Sequence, residues 1–190
     1  SEGVGYYNYG FCAYILLREE VYRATQGKID FFQTPKFVRI ARYGKKIQMN
    51  EGVCPAYSDC RMGLSPDRFI LSYCDRALGI TSAEEQPVLP KGNNLSLHLL
   101  ELFTSRVAKV GMTDGIRQVL QEESDALRAY YEQAGILIAR PAGGTSCRLA
   151  ISAKGGTNAE NHNHNDVGSY AVALGLSLIH ISEPTRHAQI

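Results

Sequence analysis

The first part of the chain carries apolar residues at helical spacing. Residues 11–17 are apolar on all sides, which predicts a helix buried on most of its faces, and the chain becomes polar at 18–20. Gly27 then provides a residue type that commonly ends helices. Thr34 and Pro35 combine a capping residue with a proline at the first helical position, so they predict the start of the next helix.

The same signals predict further helices downstream. A Ser-Pro pair at 65–66 repeats the start signal, and Gly79 provides a stop. Apolar residues fall on one helical face in 95–107 and again in 115–132, which predicts two more helices. Residues 50–63 are rich in Gly, Pro, Ser and Asp, and are predicted to form a long loop.

The period of the pattern changes from helical to two after Gly135. Apolar and polar residues alternate through 147–153, which predicts a half-buried antiparallel strand. Residues 136–140 and 167–174 are further strand candidates. Helices followed by consecutive strands indicate an α+β, multidomain chain with a boundary near 133–136.

Composition narrows the function classes. The chain has 190 residues, of which 44% are hydrophobic, so it has enough apolar material for a core. Twenty basic residues against nineteen acidic ones give a net charge of +1, which does not favour a nucleic-acid partner. No apolar run approaches the ~18 residues of a membrane span. Five cysteines without a CxxC pair indicate neither a disulfide framework nor a zinc knuckle.

Both ends of the chain look cut. The chain opens Ser-Glu-Gly-Val without Met, and residues 176–186 read LSLIHISEPTR. That string matches one reading frame of a transposon-type sequencing-library adapter. We therefore expect 176–190 to be an adapter artefact; the alternative is a genuine strand followed by a loop at Pro184. Codons that differ from the adapter would exclude the artefact.

The densest polar run is 158–166, with the sequence NAENHNHND, just before the strand candidate at 167–174. In an extended chain His162 and His164 point to the same side, which allows joint metal ligation, or one ligand and one proton-transfer group. Neighbouring Asn and Asp oxygens can orient the imidazole rings. The alternative is an Asx-rich turn that leads into a strand.

A second candidate lies at the N-terminus, where Tyr6, Tyr7, Asn8 and Tyr9 are consecutive. A tyrosine held near a cation or a charged ligand can transfer a proton, and its ring can stack on a sugar. The alternative is core packing, with each hydroxyl reaching the edge of the core.

These two candidates together resemble the heparinase II/III family of polysaccharide lyases. SEGVGYYNYG resembles the family's toroid segment E-G-x-x-Y-x-x-Y-G. KIDFF, TPKFVRIARY and GVCPAYSDC are similar to the stretch that follows it. AGILIARP and then AISAKGGTNAENHNHNDVGSY resemble the family's passage into its β-sandwich, and HNHNDVGS is the most specific motif.

The resemblance implies a fold and an activity. Residues 1–134 would be the C-terminal part of an incomplete (α/α) toroid, and 135–175 the first strands of an antiparallel β-sandwich. The activity would be β-elimination, which cleaves an acidic polysaccharide at a uronic acid. The protein would be bacterial, and periplasmic or secreted.

The resemblance also implies roles for single residues. Tyr6 matches the tyrosine base or acid, with Tyr7 and Tyr9 as rivals because a shift of the alignment would change the choice. His162 matches the catalytic histidine, and His164 matches a histidine that binds structural zinc in some members.

Some expected parts do not match this chain. Tyr7, Tyr9, Asn8 and Asn161 are candidate substrate contacts, but the family's carboxylate-neutralising Asn and His would lie before residue 1. The remaining zinc ligands would lie after His164. We therefore expect the chemistry to need no cofactor, any structural zinc to belong to the full-length protein, and this polypeptide to be inactive and to hold zinc weakly.

Two other functions remain open. The chain could be a non-catalytic carbohydrate-binding toroid–sandwich protein, or a metal-dependent hydrolase that uses the His-Asn-His run. The motifs do not distinguish heparin- or heparan-sulfate-like substrates from alginate-like ones. They also leave open the oligomeric state and whether cleavage is endo or exo.

Overall fold

The computed structural model describes residues 3–81, 95, 98–99, 107–122, 127–157 and 166–181. The chain divides into two compact units. We call them the helical unit, residues 6–45 and 66–125, and the sheet unit, residues 1–5, 46–65 and 126–190. Together they contain helices and one antiparallel sheet, which confirms the α+β class.

Most described helices occur where the apolar pattern predicts them. In chain order they are α1 Gly3–Tyr6, a π-helical turn Tyr7–Phe11, α2 Cys12–Ala24, α3 Pro35–Lys46, α4 Arg68–Ala77 and α5 Asp114–Glu122. The predicted helix start at Pro35 is confirmed. Gly27 and Gly79 follow α2 and α4 with φ of 80° and 66°, which confirms both predicted stops.

Two helix predictions are wrong in their bounds. The helix predicted from 65–66 begins later because Asp67 is its cap: the Asp67 carboxylate accepts a hydrogen bond from Phe69 N at 2.8 Å. The helix predicted over 115–132 ends at Glu122 in α5, and residues 128–131 form a strand. Most of the helix predicted over 95–107 lies outside the described residues.

The helical unit is built around stacked aromatic rings. The rings of Tyr7 and Phe11 stack at a centroid distance of 5.2 Å, and Phe11 stacks on Phe32 at 6.0 Å. Ile15 and Val38, both fully buried, extend this core between α2 and α3. The apolar run at 11–17 is therefore a core-facing segment, as its pattern predicts.

The polar end of α2 does not face solvent as its pattern suggests. Arg18 and Glu19 are buried. Arg18 donates from Nε and Nη2 to the two oxygens of Asp30, both at 2.7 Å, and from Nη1 to the Tyr73 hydroxyl at 2.6 Å. Tyr73 in turn donates to Glu19 Oε1, and Arg18 Nη2 also reaches Ala108 O at 3.0 Å. The side-chain charges are buried because each has a partner.

The sheet unit contains five antiparallel strands in the order of the chain. They are β1 Arg128–Tyr131, β2 Ile136–Ala139, β3 Leu149–Lys154, β4 Tyr170–Leu174 and β5 Ser177–Ile181. The strands predicted over 136–140, 147–153 and 167–174 are confirmed, with the last beginning three residues later.

Residues 50–63 form no helix or strand, which confirms the predicted loop, and this loop packs against one face of the sheet. Ala150, Ser152 and Lys154 alternate with more exposed residues along β3. Tyr57, from the loop, donates its hydroxyl to Ser152 Oγ at 3.0 Å. Arg140 fixes the start of the loop by donating from Nε to Gln48 O at 2.8 Å. The alternation is therefore confirmed, but the buried face is the one with Ala150, Ser152 and Lys154, whereas Leu149 and Ile151 on the more apolar face are 55% and 44% exposed.

The strand β5 lies inside the suspected adapter segment. It pairs with β4 from Tyr170↔Ile181 to Leu174↔Ser177. Any residues with the order SLIHI can pair in this way, whatever nucleotides encode them, so the origin of 176–190 stays a prediction. In the described part of the chain, no helix has the length and apolar character to cross a membrane.

Candidate functional site

Tyr7 and Tyr9 lie on the one π-helical turn among the described residues, and Tyr6 is the last residue of α1 before it. The turn runs from Tyr7 to Phe11 and joins α1 to α2 in one continuous helical segment. A π-helical turn is a local departure from the regular helix that occurs frequently at functional sites. It separates the three tyrosines into different environments.

Tyr7 belongs to the core. It is 8% exposed, and its hydroxyl donates to Ala41 O at 3.1 Å. A Cβ placed on Gly44 would lie 2.7 Å from the Tyr7 ring, so the glycine leaves the space that the ring fills. Burial raises the pKa of Tyr7 well above its ordinary value, and the nearby Cys74 adds to the effect. A phenol held neutral in this way is poorly suited to act as a base.

Tyr6 and Tyr9 reach the surface. Tyr6 is 43% exposed and Tyr9 is 75% exposed, so both rings are accessible to a ligand. The neighbouring Gly10 would have no atom within 4 Å of a Cβ, so the surface beside it is open. Tyr6 and Tyr9 therefore offer two phenols and two ring faces on one short segment.

The Asn8 side chain makes a hydrogen bond within the helical unit. Its side-chain oxygen accepts a hydrogen bond from Asp67 N at 2.9 Å, at the residue that caps α4. This contact fixes the π-helical turn relative to α4 within the helical unit. The geometry supports a positioning role for Asn8.

The His/Asn run lies outside the described residues. Asn161, His162 and His164 are therefore known only from the sequence, and their proposed roles stay predictions. The described residues on either side of the run are held together, since Lys154 N donates to Ser169 O at 2.9 Å and Gly168 N donates to Lys154 O at 2.8 Å.

A buried polar cluster, which the sequence did not indicate, lies beside those flanking residues. Asp166 accepts a hydrogen bond from Ser58 N, and Ser58 has a φ of +55°, which is unusual for a residue other than glycine. Lys154 is buried and lies 3.4 Å from Ala134 O through its ammonium group. The side-chain oxygen of Ser169 is buried and has no hydrogen-bond partner among the residues described.

Tyr57 is the titratable group at the centre of this cluster. Burial raises the pKa of Tyr57 to about 12, the Ser152 hydrogen bond opposes that shift, and the charge of Asp166 adds to it. The alternation of 147–153 gave the opposite indication for Ser152, because it placed this residue on the less apolar face of the strand. The loop residues carried no periodic signal, because their partners lie about 100 residues away in the chain.

The basic residues of α3 are not an open anion site. Asp75 pairs with Arg42 at 3.4 Å and with Lys45, and Arg39 lies 3.7 Å from Glu122. All these pairs lie within the helical unit. The carboxylates partly neutralise the positive charge of this helix.

The structure provides no metal centre in the part that it describes. No group of three or more His, Cys, Asp or Glu side chains in those residues could hold a metal ion. His164, the predicted zinc ligand, lies outside them.

Comparisons with known proteins do not assign the chain to a family. No protein-family model matches it, and no curated protein is similar enough to count as a match. The resemblance to the heparinase II/III family therefore rests on the motifs quoted above.

Proposed function

We propose that the chain is part of a polysaccharide lyase that cleaves a uronic-acid-containing polysaccharide by β-elimination. In the finer fold that this implies, the helical unit belongs to an (α/α) toroid and the sheet unit to an antiparallel β-sandwich. The protein would act on its substrate in the bacterial periplasm or outside the cell.

The observation that carries the proposal is the different exposure of the three tyrosines at the end of α1 and on the π-helical turn that follows it. Tyr7 is held in the core, whereas Tyr6 is 43% exposed at the position that the motif E-G-x-x-Y-x-x-Y-G indicates. This division supports Tyr6 as the catalytic tyrosine and leaves Tyr9 as the rival. Tyr9 fits the second tyrosine of the motif, and its more exposed ring suits stacking on a sugar.

The chemistry asks for a proton acceptor and a proton donor on either side of one sugar linkage. A base removes the proton on C5 of the uronic acid, the electrons form the C4–C5 double bond, and the 4-O-linked sugar leaves as an acid protonates its oxygen. In this proposal Tyr6 and His162 share these two tasks. The C5 proton is weakly acidic beside a charged carboxylate, so the complete enzyme must neutralise that carboxylate.

The proposed substrate is an acidic polysaccharide of heparin, heparan-sulfate or alginate type. The ion pairs of Arg39, Arg42 and Lys45 give no preference for a sulfated chain. A required cofactor is not part of the proposal, and a structural zinc would involve His164 together with ligands from elsewhere in the protein.

A carbohydrate-binding protein without catalysis is the second candidate. The exposed rings of Tyr6 and Tyr9 favour it, since both could stack on sugars with no proton transfer. A metal-dependent hydrolase has no support from the described residues. The products separate all three, because only a lyase forms a 4,5-unsaturated uronic acid that absorbs in the ultraviolet.

The test is made on the protein encoded by the uninterrupted gene. It is mixed with heparan sulfate, heparin and alginate, and the ultraviolet absorbance of unsaturated uronate is followed. We expect absorbance to rise with at least one polymer, Tyr6→Phe to abolish the rise, and Tyr6→Phe to retain polysaccharide binding.

Tyr9→Phe is the matched control, because it removes the same atom from the neighbouring exposed tyrosine. We expect it to retain most of the rate. If the wild-type protein binds the polymers but no absorbance develops, the protein is a carbohydrate-binding protein and not a lyase. Loss of activity in Tyr9→Phe but not in Tyr6→Phe would reassign the catalytic tyrosine.

A further inference from the structure

Gly10 differs from every other glycine in the described helices. Its φ does not lie in the left-handed region, and a Cβ placed on it would have no atom within 4 Å. By contrast, Gly3 has a φ of +74°, and a Cβ on Gly44 would lie 2.7 Å from an aromatic ring. A Cβ on Gly5 would lie 3.5 Å from a side-chain atom, and one on Gly115 3.1 Å. Neither backbone conformation nor packing within the described residues therefore explains the glycine at position 10.

Glycine at this position makes the folded helical segment less stable. Glycine loses more backbone freedom on folding than any other residue, whereas alanine is the best helix former. An alanine side chain at position 10 would extend into open space. Stability alone therefore favours a side chain here. A glycine that folding does not require is typical of a place where a ligand approaches the backbone closely.

Gly10 lies one helical turn after Tyr6, the proposed catalytic tyrosine. Residues four apart share one face of a helix, and the side chain of the later residue leans toward the earlier one. A side chain at position 10 would therefore fill the surface beside Tyr6, which is 43% exposed. Gly10 is itself exposed, so that surface is open to a ligand.

The buried side of the π-helical turn is held in place. Tyr7 donates its hydroxyl to Ala41 O at 3.1 Å, and the Asn8 side chain accepts a hydrogen bond from Asp67 N at 2.9 Å. Both contacts lie within the helical unit. A Cβ extends about 1.5 Å from Cα. Because the turn is fixed from behind, a side chain at position 10 would push a ligand outward by about that length instead of displacing the backbone.

We propose that Gly10 is a specificity-determining residue of the lyase, where the absence of a side chain lets a uronic acid ring lie directly on the helix backbone beside Tyr6. The inference rests on the proposed function: where Tyr6 is open to a polysaccharide, the surface one turn further along the same face is open to it as well. Contact with the backbone would bring the C5 proton of that ring toward the Tyr6 hydroxyl.

The test compares variants of the protein encoded by the uninterrupted gene. Gly10→Ala should lower kcat/KM for the cleaved polymer about 10–100-fold, since displacement of a substrate by about 1 Å can cause a loss of that size. Gly10→Leu should lower kcat/KM further. Gly10→Ala should also raise the midpoint of thermal unfolding by about 1–2 °C, because alanine favours the helix. A glycine with a purely structural role would not give these opposite changes in activity and stability.

Gly143→Ala and Gly143→Leu are the matched controls. Gly143 is exposed, lies outside the helices and strands, and has no atom within 4 Å of a Cβ. Both variants should keep the wild-type kcat/KM.

Three results would overturn the inference and leave the lyase in place. They are a wild-type kcat/KM in Gly10→Leu, an equal loss in the Gly143 variants, and a lower unfolding midpoint in Gly10→Ala. The last result would assign Gly10 to packing against another part of the full-length protein. Absence of an unsaturated product from the wild type would instead overturn the proposed function, and this inference with it.

Discussion

The helical unit and the sheet unit differ in which groups they bury and which they expose. The helical unit buries an arginine and two carboxylates, and all three have partners. The sheet unit leaves much of one apolar face bare and places several polar groups on the other. The first unit is thus specified by a charge network inside its core. The second is specified by the alternation of its strands and by a loop that covers one side.

This difference locates the sensitive positions of each unit. In the helical unit, removal of one charged group leaves others buried without a partner, which costs more than the pair itself contributes. In the sheet unit, the Tyr57–Ser152 hydrogen bond joins neutral groups, and its loss is expected to cost less. Substitutions should therefore rank in the order of the following predictions.

The largest effect is expected at Arg18. Burial alone would lower the pKa of Arg18, but the hydrogen bonds and electrostatic attraction from Asp30 and Tyr73 together outweigh burial and leave that pKa raised. Arg18→Leu should destabilise the helical unit by about 3–5 kcal/mol because Asp30 and Glu19 remain buried without their cation. The loss of unfolding free energy is measured by urea unfolding, with hydrogen exchange as the probe that reports on each unit separately.

Arg23→Gln is the control for that experiment. Arg23 lies 3.6 Å from Glu19 but is largely exposed, so its removal should cost less than about 0.5 kcal/mol. Equal effects of Arg18→Leu and Arg23→Gln would contradict the importance of the buried network.

A smaller effect is expected from alkaline pH, and it should be greater in the helical unit. In the helical unit, burial raises the pKa of Tyr7 and Tyr73 well above the ordinary value and that of Tyr14 to about 12. In the sheet unit, burial raises the pKa of Tyr57 and that of Cys54 to about 12. A raised pKa contributes stability that is complete below about pH 10 and is lost as pH rises through the folded-state value.

For Tyr57, with a folded pKa of about 12, the loss amounts to about 2–3 kcal/mol between roughly pH 10 and 12. Tyr57→Phe should remove this part of the pH dependence, and the amplitude of the late rise in tyrosinate absorbance should fall. A late rise of unchanged amplitude would show that Tyr57 ionises earlier, with an ordinary pKa, and would contradict the shift.

Apart from the control substitutions, the smallest predicted loss of stability is that of Tyr7→Phe. Removal of the hydroxyl breaks its bond to Ala41 O and should cost about 1 kcal/mol. Tyr6→Phe should leave the midpoint of thermal unfolding nearly unchanged, because the Tyr6 ring reaches the surface. A greater loss in Tyr6→Phe than in Tyr7→Phe would reverse the assignment of the structural tyrosine.

The sequence predicted local features better than distant ones. Pro35 and Gly79 mark real helix ends because caps act on their own backbone. The strand misread as helix at 128–131 shows the limit. Its tyrosines fit helical spacing, but Tyr131 pairs with Ile136 and Tyr130 with Leu137 in the sheet. Pairing with a neighbouring strand overrode the local pattern.

The candidate site was predicted only in part for the same reason. The motif identified the three tyrosines, but only the packing of Gly44 and Ala41 against Tyr7 separates the buried one from the exposed ones. In the sequence pattern Arg18 only marks the polar end of a helix. Its burial could not be predicted, because its partners Asp30 and Tyr73 are not its neighbours in the chain.

The central claim is that Tyr6 takes part in proton transfer during β-elimination, and its most direct test is the product of the full-length enzyme. Uronate polymers should yield an ultraviolet-absorbing unsaturated product with the wild type and with Tyr9→Phe, but not with Tyr6→Phe, which should still bind. An unsaturated product formed by Tyr6→Phe at the wild-type rate, or a saturated product from the wild type, would contradict the account.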